Sequence, residues 1–327
     1  MKILQVLPYA ENGGTEKAAA LLTEGLITLG HKVTILAPKG PALKLFSEAE
    51  YLELPLNLIK RYSLIRQAAA DFDLVHIHAA RELVREYGLP IVFTPHAYYN
   101  RLDAWMVKLF ARQVDVVCFT NWEASLLKSL GINKTHVIPN GIKEPPILEH
   151  TTNAVPRIGY LGRLTKDKGI DLLLKEMAKV NLPYELVIAG EGKLEEDLKQ
   201  MAKELNVPAH FVGRVEPYSF LATIDIFVLP SKTETFGLAL VEAMATGLPC
   251  VTSNVCGLPE IVADTGLAVP HSRLSLSITK LLVDENLRKE LGTKARARFL
   301  VNYSFLEMVK ATEKLYREVI TKETTNS

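Results

Sequence analysis

The sequence predicts an α/β protein made of two doubly wound domains in tandem. Short apolar runs alternate with segments of helical periodicity along nearly the whole chain, which is typical of parallel sheets joined by helical crossovers. This alternation lapses once, in a proline-containing stretch near the middle, and then starts again. A chain of 327 residues also exceeds what one ordinary hydrophobic core supports, so we expect two domains.

The first domain is predicted over residues 1–145. Its opening strand is followed by a glycine turn and a helix from Thr15 to Leu29, with Thr15 as the N-cap and Glu16 stabilising the first turn. His76 and His78 share one face of a later strand, but no further metal ligand accompanies them, so we expect structural or cleft-lining roles. The strands are predicted at KILQVLP, HKVTILA, DLVHIH, PIVFTPH, DVVCFT and THVIP.

The second domain is predicted over residues 155–303, after a linker in KEPPILEHTTNAVP. Residues 304–327 keep helical spacing of apolar side chains, which predicts a final helix with one buried face that crosses back to the first domain. In doubly wound sheets, ligands bind beyond the carboxyl ends of the strands, so two such domains that face each other form a cleft. The strands are predicted at RIGYLG, YELVIAG, AHFVG, IDIFVLP and LPCVTS.

Charge and cysteine content exclude several classes of protein. The 38 basic and 37 acidic residues leave a net charge of +1, which is not the basic footprint of a nucleic-acid-binding protein. The three cysteines are odd in number and lack metal-type spacing, which predicts reduced thiols in a cytoplasmic protein.

The sequence also limits how the protein meets a membrane. Pro8 ends the first apolar run too early for a signal peptide, and no apolar stretch is long enough to span a bilayer. The segment RLDAWMVKLFARQ mixes large apolar and basic residues, which leaves peripheral contact with the inner face of the membrane open. An ordinary amphipathic helix with a packed face is the favoured interpretation.

Two carboxylates stand out in the stretch SKTETFGLALVEAMATG. Glu242 lies in the middle of an apolar helix with no basic residue one turn away, and burying such a group without partners costs several kcal/mol, roughly. Ligand hydroxyls would meet this need at the cleft end of the helix. Glu234 lies in the loop after the strand IDIFVLP, just before the first amides of that helix, where anions are favoured.

The stretch GYLGRLTKDKG offers two cations at an equivalent place in the domain. Arg163 and Lys168 follow a strand and a glycine turn and precede the next helix. A planar guanidinium and a point-charge ammonium together would neutralise a departing diphosphate without a metal.

These pieces together resemble glycosyltransferase family four, the large family of retaining, sugar-nucleotide-dependent enzymes of the GT-B type. Each motif alone is a weak signal, whereas the ordered set is specific. The resemblance implies the GT-B fold, in which two Rossmann-like domains face each other across a cleft. The matching pieces are NGGTE, GLITLGHKVTIL, DLVHIHAA, TPHAY, HVIPNGI, GRLTKDKG, VIAGEG, FVGRV and the E-x7-E motif from Glu234 to Glu242.

The resemblance implies roles for the residues of the second domain. The position of Glu242 holds the ribose hydroxyls of the nucleotide, and the position of Glu234 contacts the donor sugar. Arg163 and Lys168 match the pair that grips the diphosphate. The amides near the sugar and the diphosphate are those of Phe236, Gly237 and Leu238. The base is expected near Gly190, Glu191 and the backbone of Arg214 and Val215.

The resemblance also implies roles in the first domain. Gly13 and Gly14 match the first turn, where a bare backbone lets the phosphates or the acceptor approach. His96 matches a histidine at a strand end, near the transferred sugar.

The implied reaction moves a hexose-type sugar from a nucleoside-diphosphate sugar to a hydroxyl of a glycan, a lipid or a small molecule, with retention and without metal or cofactor. A UDP-sugar is favoured, and a GDP-sugar is the alternative. A sugar-nucleotide 2-epimerase of the same architecture is the main rival. A dinucleotide-dependent dehydrogenase is disfavoured because neither NGGTEKA nor LGRLTKD fits GxGxxG, and a non-catalytic binder is disfavoured by the intact set of site residues.

Overall fold

The computed structural model divides the chain into two compact units. Unit 1 comprises Met1–Lys143 with Ser304–Ser327, and unit 2 comprises Glu144–Tyr303. The segment RLDAWMVKLFARQ, on which the predicted membrane contact rests, lies outside the described part of the chain. The structure describes residues 1–11, 13–55, 57–85, 87–96, 114–151 and 153–326.

Unit 1 is built on a seven-stranded sheet whose neighbouring strands all run parallel, in the order β3-β2-β1-β4-β5-β6-β7. Its inner strands are almost continuously apolar because helices cover both faces, and every residue of β4 is buried. The strands are β1 (Lys2–Val6), β2 (Lys32–Ala37), β3 (Glu50–Glu53), β4 (Leu74–His78), β5 (Ile91–Thr94), β6 (Asp115–Cys118) and β7 (Thr135–Val137).

The helices of unit 1 come from both ends of the chain. The last helix packs on the first, and Tyr316 is fully buried in the same apolar cluster as Ile3 and Leu26. The C-terminal residues are therefore part of the core of unit 1. The helices are α1 (Gly14–Thr28), α2 (Leu58–Ala69), α3 (Asn121–Ser129) and, after unit 2, α11 (Phe305–Asn326).

Unit 2 contains a six-stranded sheet, again parallel throughout, in the order β10-β9-β8-β11-β12-β13. Its strands are β8 (Arg157–Leu161), β9 (Glu185–Ala189), β10 (Ala209–Gly213), β11 (Ile226–Leu229), β12 (Cys250–Ser253) and β13 (Leu267–Val269). Its helices are α4 (Ile170–Met177), α5 (Glu195–Glu204), α6 (Pro217–Leu221), α7 (Leu238–Ala245), α8 (Leu258–Val262), α9 (Leu274–Val283) and α10 (Glu285–Asn302).

The start of the first helix differs from the prediction. Helix α1 begins at Gly14 with Gly13 as its N-cap, and no side chain caps it, so the assignment of Thr15 as N-cap is wrong. The nearby carboxylate of Glu16 is buried and accepts a hydrogen bond from the N–H of Glu11 at 3.3 Å. Glu16 therefore stabilises the loop that precedes the helix.

No helix in the described ranges combines the length and the apolar character needed to cross a membrane.

Candidate functional site

The predicted cations and Glu234 meet at the carboxyl edge of the sheet in unit 2. Strands β8 and β11 are parallel neighbours, so the loops that follow them leave the sheet at the same edge. Lys168 Nζ lies 2.6 Å from Glu234 Oε2, and each side chain is 16% exposed. The predicted diphosphate-gripping lysine and the predicted sugar-contacting carboxylate therefore form one ion pair.

Main-chain hydrogen bonds join the two loops that carry this pair. The N–H of Lys232, in the loop after β11, donates to the carbonyl oxygen of Asp167 at 2.7 Å. The side chain of Lys232 turns elsewhere and contacts Asp171 at 2.8 Å. The ion pair of Lys168 and Glu234 is thus held between segments whose backbones are already fixed to each other.

Arg163 precedes Lys168 in the loop after β8, and a side chain of β8 forms a hydrogen bond with its backbone. The hydroxyl of Tyr160, a fully buried residue of β8, donates to the carbonyl oxygen of Arg163 at 2.9 Å. Burial raises the pKa of Tyr160, with further contributions from the charges of Glu234 and Asp167. Arg163 itself is exposed, so a charged ligand at this edge of the sheet has access to it.

Helix α7 starts beside the ion pair. The predicted amide donors Phe236, Gly237 and Leu238 are the last loop residues and the first helical residue, with Gly237 as the N-cap. Phe236 is buried and its ring lies 5.9 Å from the ring of Tyr303, which fixes the entry of the chain into the helix. A helix start next to Glu234 and Lys168 presents backbone N–H groups at the same edge of the sheet.

Glu242 lies on the same helix, about 6 Å along its axis from Leu238. It is half-buried, as expected for a carboxylate that reaches the edge of an apolar helix. Burial, followed by the charges of Glu242 and Glu216, raises the pKa of Tyr218 to about 12. Tyr218 therefore lies close enough to Glu242 to be affected by its charge.

The residues predicted to meet the nucleotide base follow β9 and β10. The N–H of Gly190 donates to the carbonyl oxygen of Gly213 at 2.7 Å, immediately before Arg214 and Val215. Gly190 has a φ of +128°, and a Cβ there would lie 1.9 Å from the carbonyl oxygen of Gly162, so only glycine fits. The loops after three neighbouring strands thus approach one another closely at the carboxyl edge.

In unit 1, Gly13 is the N-cap of α1 and Gly14 is its first residue. A Cβ at Gly13 would lie 2.6 Å from Oε2 of Glu16, because the buried carboxylate folds back over the glycine. A side chain at position 13 would therefore displace the carboxylate of Glu16 from its contact with the N–H of Glu11.

His96 follows β5 and is tied to the neighbouring strand. Its Nε2 lies 2.9 Å from Nδ1 of His78, and its ring lies 5.2 Å from the ring of Phe119. His96 adopts a left-handed backbone conformation with a φ of +60°, which is uncommon for a residue other than glycine. Burial lowers the pKa of His96 to about 3, so the ring is neutral at physiological pH.

His76 has a different set of partners, although it shares a strand face with His78. Its Nδ1 lies 2.5 Å from the hydroxyl of Tyr316 on α11, and its Nε2 lies 2.7 Å from Oγ1 of Thr94 on β5. Burial, and next the charge of His96, lowers the pKa of His76 to about 3. His76 therefore joins the last helix to the sheet of unit 1.

Two family models match the two halves of the chain. The model described as Glycosyltransferase Family 4 matches residues 12–144, and the model described as Glycosyl transferases group 1 matches residues 150–298. The chain belongs to glycosyltransferase family four. As a member of this family it is a glycosyltransferase. The hypotheses of a dinucleotide-dependent dehydrogenase and of a non-catalytic binder are therefore rejected.

Characterised relatives and solved structures agree with this placement. The chain is 29% identical to glycogen synthase of Mycobacterium tuberculosis over 75% of this chain and 68% of that protein. It is 26% identical to the phosphatidyl-myo-inositol mannosyltransferase of Mycolicibacterium smegmatis, over 91% of this chain and 89% of that protein.

The fold comparison covers almost the whole chain. Sucrose-phosphate synthase from Thermosynechococcus elongatus superposes with a TM-score of 0.84 at 20% identity, over 98% of this chain and 100% of that one. The Anabaena protein HepE in complex with UDP-glucose gives 0.82 at 19% identity, over 96% and 99%. This glycosyltransferase therefore has the GT-B fold, as predicted.

Proposed function

We propose that this glycosyltransferase moves a hexose-type sugar from a UDP-sugar to a hydroxyl of a glycan, a lipid or a small molecule, with retention of configuration. The ion pair of Lys168 and Glu234 beside Arg163, at the start of α7, is the observation that carries the proposal. It combines two cations, a sugar-binding carboxylate and a helix N-terminus at one edge of unit 2.

The leaving diphosphate is stabilised by fixed charge. Arg163 donates through a planar fork and Lys168 supplies a point charge, while the helix start contributes oriented N–H groups. Such preorganised donors lower the barrier because they need no rearrangement as negative charge develops on the leaving group. These side chains take the role that a divalent metal plays elsewhere, so the proposed reaction needs no metal.

The rest of the donor is held by neighbouring groups. Glu242 accepts hydrogen bonds from the ribose hydroxyls, and Glu234, oriented by Lys168, accepts from hydroxyls of the sugar. The base lies against the backbone of Gly190, Arg214 and Val215. UDP is chosen over GDP because HepE, which shares this fold, was solved with UDP and with UDP-glucose.

Unit 1 serves the acceptor and the transferred sugar. The acceptor approaches Gly13 and Gly14 at the start of α1, and His96 orients the sugar. The acceptor oxygen bonds to the anomeric carbon from the face that the diphosphate leaves, and its proton passes to a phosphate oxygen of the departing nucleotide. No covalent nucleophile is assigned.

The location of the protein in the cytoplasm, with contact to the inner face of the membrane, stays a prediction. The free thiols of Cys118, Cys250 and Cys256 fit a reducing compartment.

Nucleotide-dependent thermal stability tests the ribose role. We expect UDP at a hundredfold excess over its Kd to stabilise the wild type by about 2.7 kcal/mol, whereas Glu242→Ala at the same UDP concentration gains little, because the ribose hydroxyls lose their acceptor. Glu290→Ala serves as the matched control, since Glu290 pairs with Lys294 on an exposed helix face. A wild type whose melting temperature responds to no nucleoside diphosphate would disprove the proposal.

Donor turnover separates the transferase from the epimerase. The wild type is incubated with UDP-glucose, UDP-galactose, UDP-N-acetylglucosamine and GDP-mannose, first with water as the only acceptor and then with a panel of glycans and lipids. Retention predicts that the free sugar first released has the anomeric configuration of the donor, which proton NMR detects before mutarotation. Release of an epimerised sugar nucleotide without transfer would establish the rival activity.

A further inference from the structure

His78 and His96 form a ring-to-ring hydrogen bond in unit 1. His78 ends β4, and it pairs there with Thr94 of the neighbouring strand β5, two residues before His96. Nδ1 of His78 and Nε2 of His96 are 2.9 Å apart. A nitrogen–nitrogen distance of this length requires one proton between the two atoms.

Both rings are neutral, so each ring carries a proton on only one of its two nitrogens. Burial lowers the pKa of His96 to about 3, and burial followed by the neighbouring histidines lowers the pKa of His78 well below its usual value. A neutral imidazole carries one N–H and one acceptor nitrogen. Either His78 donates from Nδ1 and His96 is protonated at Nδ1, or His96 donates from Nε2 and His78 is protonated at Nε2.

The other nitrogen of His78 decides between these two arrangements. Nε2 of His78 is buried and has no hydrogen-bond partner among the residues that the structure describes. If His96 were the donor, this atom would carry a buried N–H without an acceptor, which is rare in folded proteins. If His78 is the donor, the unpaired atom is only a lone pair. The arrangement in which His78 donates from Nδ1 is therefore favoured.

We propose that His78 is a positioning residue for sugar transfer, which donates its Nδ1–H to Nε2 of His96 and thereby holds His96 in the tautomer that carries its proton on Nδ1. This inference rests on the proposed function, in which His96 orients the transferred sugar. A neutral His96 in this tautomer donates a hydrogen bond from Nδ1 to a sugar oxygen and does not act as a base.

Among the residues that the structure describes, His78 is the side chain that forms a hydrogen bond with the ring of His96. The residue has a φ of +60°, outside the strand region, so its backbone does not continue the course of β5. Phe119 contacts one side of the imidazole, and His78 binds its Nε2. Loss of the bond to His78 frees the ring to rotate and to exchange tautomers.

Nitrogen NMR of the intact wild-type protein tests the tautomer directly. Histidine is labelled with 15N in the ring, and the His96 and His78 signals are assigned by their loss in His96→Gln and His78→Asn. At pH 7 we expect His96 to show a protonated Nδ1 and an unprotonated Nε2. A proton on Nε2 of His96 would overturn the inference.

Three substitutions at His78 test its effect on catalysis. Asparagine places an amide nitrogen where Nδ1 of histidine stands, glutamine places one where Nε2 stands, and leucine removes the donor. We expect His78→Asn to keep the His96 tautomer and to retain kcat within about 3-fold. His78→Leu and His78→Gln lose kcat by about 10- to 100-fold, while KM for the donor changes less than about 3-fold.

The outcomes separate a positioning role from a structural one and from failure of the proposed function. Thermal melts accompany each variant, and the pair Asn and Gln is decisive because both keep a buried amide. Equal kcat for His78→Asn and His78→Gln, or unchanged kcat in a folded His78→Leu, contradicts the inference. A wild type that consumes no sugar nucleotide contradicts the proposed function, while NMR still decides the tautomer.

Discussion

The two units bring polar groups together by opposite means. In unit 2, Lys168 and Glu234 form an ion pair that keeps part of its surface accessible, and Arg163 is exposed. In unit 1, His76 and His78 are buried, and hydrogen bonds to rings and hydroxyls join them to their neighbours. Formal charge is used where a ligand can replace water, and neutral donors are used where burial would make charge costly.

This contrast matches the chemistry proposed for each unit. A diphosphate that leaves with increasing negative charge needs cations that stay charged at every physiological pH. A sugar whose hydroxyls are neutral needs donors and acceptors of fixed orientation, for which a neutral imidazole suffices. The two regions should therefore respond differently to charge removal, to acid and to chelators.

The largest expected effect follows from removing one cation of unit 2. Lys168→Ala should lower kcat/KM on the order of 10²- to 10³-fold, as loss of one preorganised donor at a developing negative charge typically does. Lys232→Ala is the matched control, because Lys232 belongs to the adjoining loop but pairs with Asp171. Steady-state kinetics with the preferred donor measure both variants. Equal losses in the two variants would show that only loop integrity matters.

Acid should destabilise unit 1 through its neutral histidines. Between pH 6.5 and about 3, His76 and His96 stay neutral when folded and become charged when unfolded. The unfolded chain then binds more protons, so stability falls as the pH falls, by about 2 kcal/mol per histidine at pH 5. Glu123 opposes this trend, because burial raises its pKa to about 7 and the folded state binds its proton first.

A single substitution isolates one of these histidines. His76→Gln should reduce the difference in unfolding free energy between pH 7 and pH 5 by about 2 kcal/mol, because glutamine does not titrate. Urea denaturation followed by a probe in unit 1 gives both values, and the comparison between the two pH values removes any loss common to both. An unchanged difference would mean that His76 is charged in the folded state.

The elements that could be predicted from the sequence are those whose burial requires a run of apolar residues. The run RIGYLG became β8 and IDIFVLP became β11, because strands covered on both faces must be continuously apolar. Helix α7, which carries Glu242, ends at Ala245 with Thr246 as its C-cap, and Gly247 follows with a φ of +78°. Strand β3 and helix α2 were not predicted; all four residues of this edge strand are exposed, and its two apolar residues are adjacent and do not alternate with polar ones.

Local motifs predicted individual residues of the site but not the contacts between residues that are far apart in the sequence. Arg163, Lys168 and Glu234 were identified from motifs, but their contact depends on the pairing of β8 with β11. The bond between His78 and His96 depends on the register of two strands, and the local pattern of either strand does not contain that register.

The smallest expected effect is that of metal removal, which should leave donor turnover unchanged. This experiment tests whether the cations at the carboxyl edge of unit 2 are sufficient to stabilise the leaving group. If Arg163 and Lys168 neutralise the leaving diphosphate, donor turnover in EDTA should equal turnover with added Mg²⁺ or Mn²⁺, because no step requires a third cation. Initial rates of UDP release in the two conditions measure this. Turnover that stops in EDTA and returns with a divalent ion would assign the charge-stabilising role to that ion, and the loss in Lys168→Ala would then reflect binding of the donor.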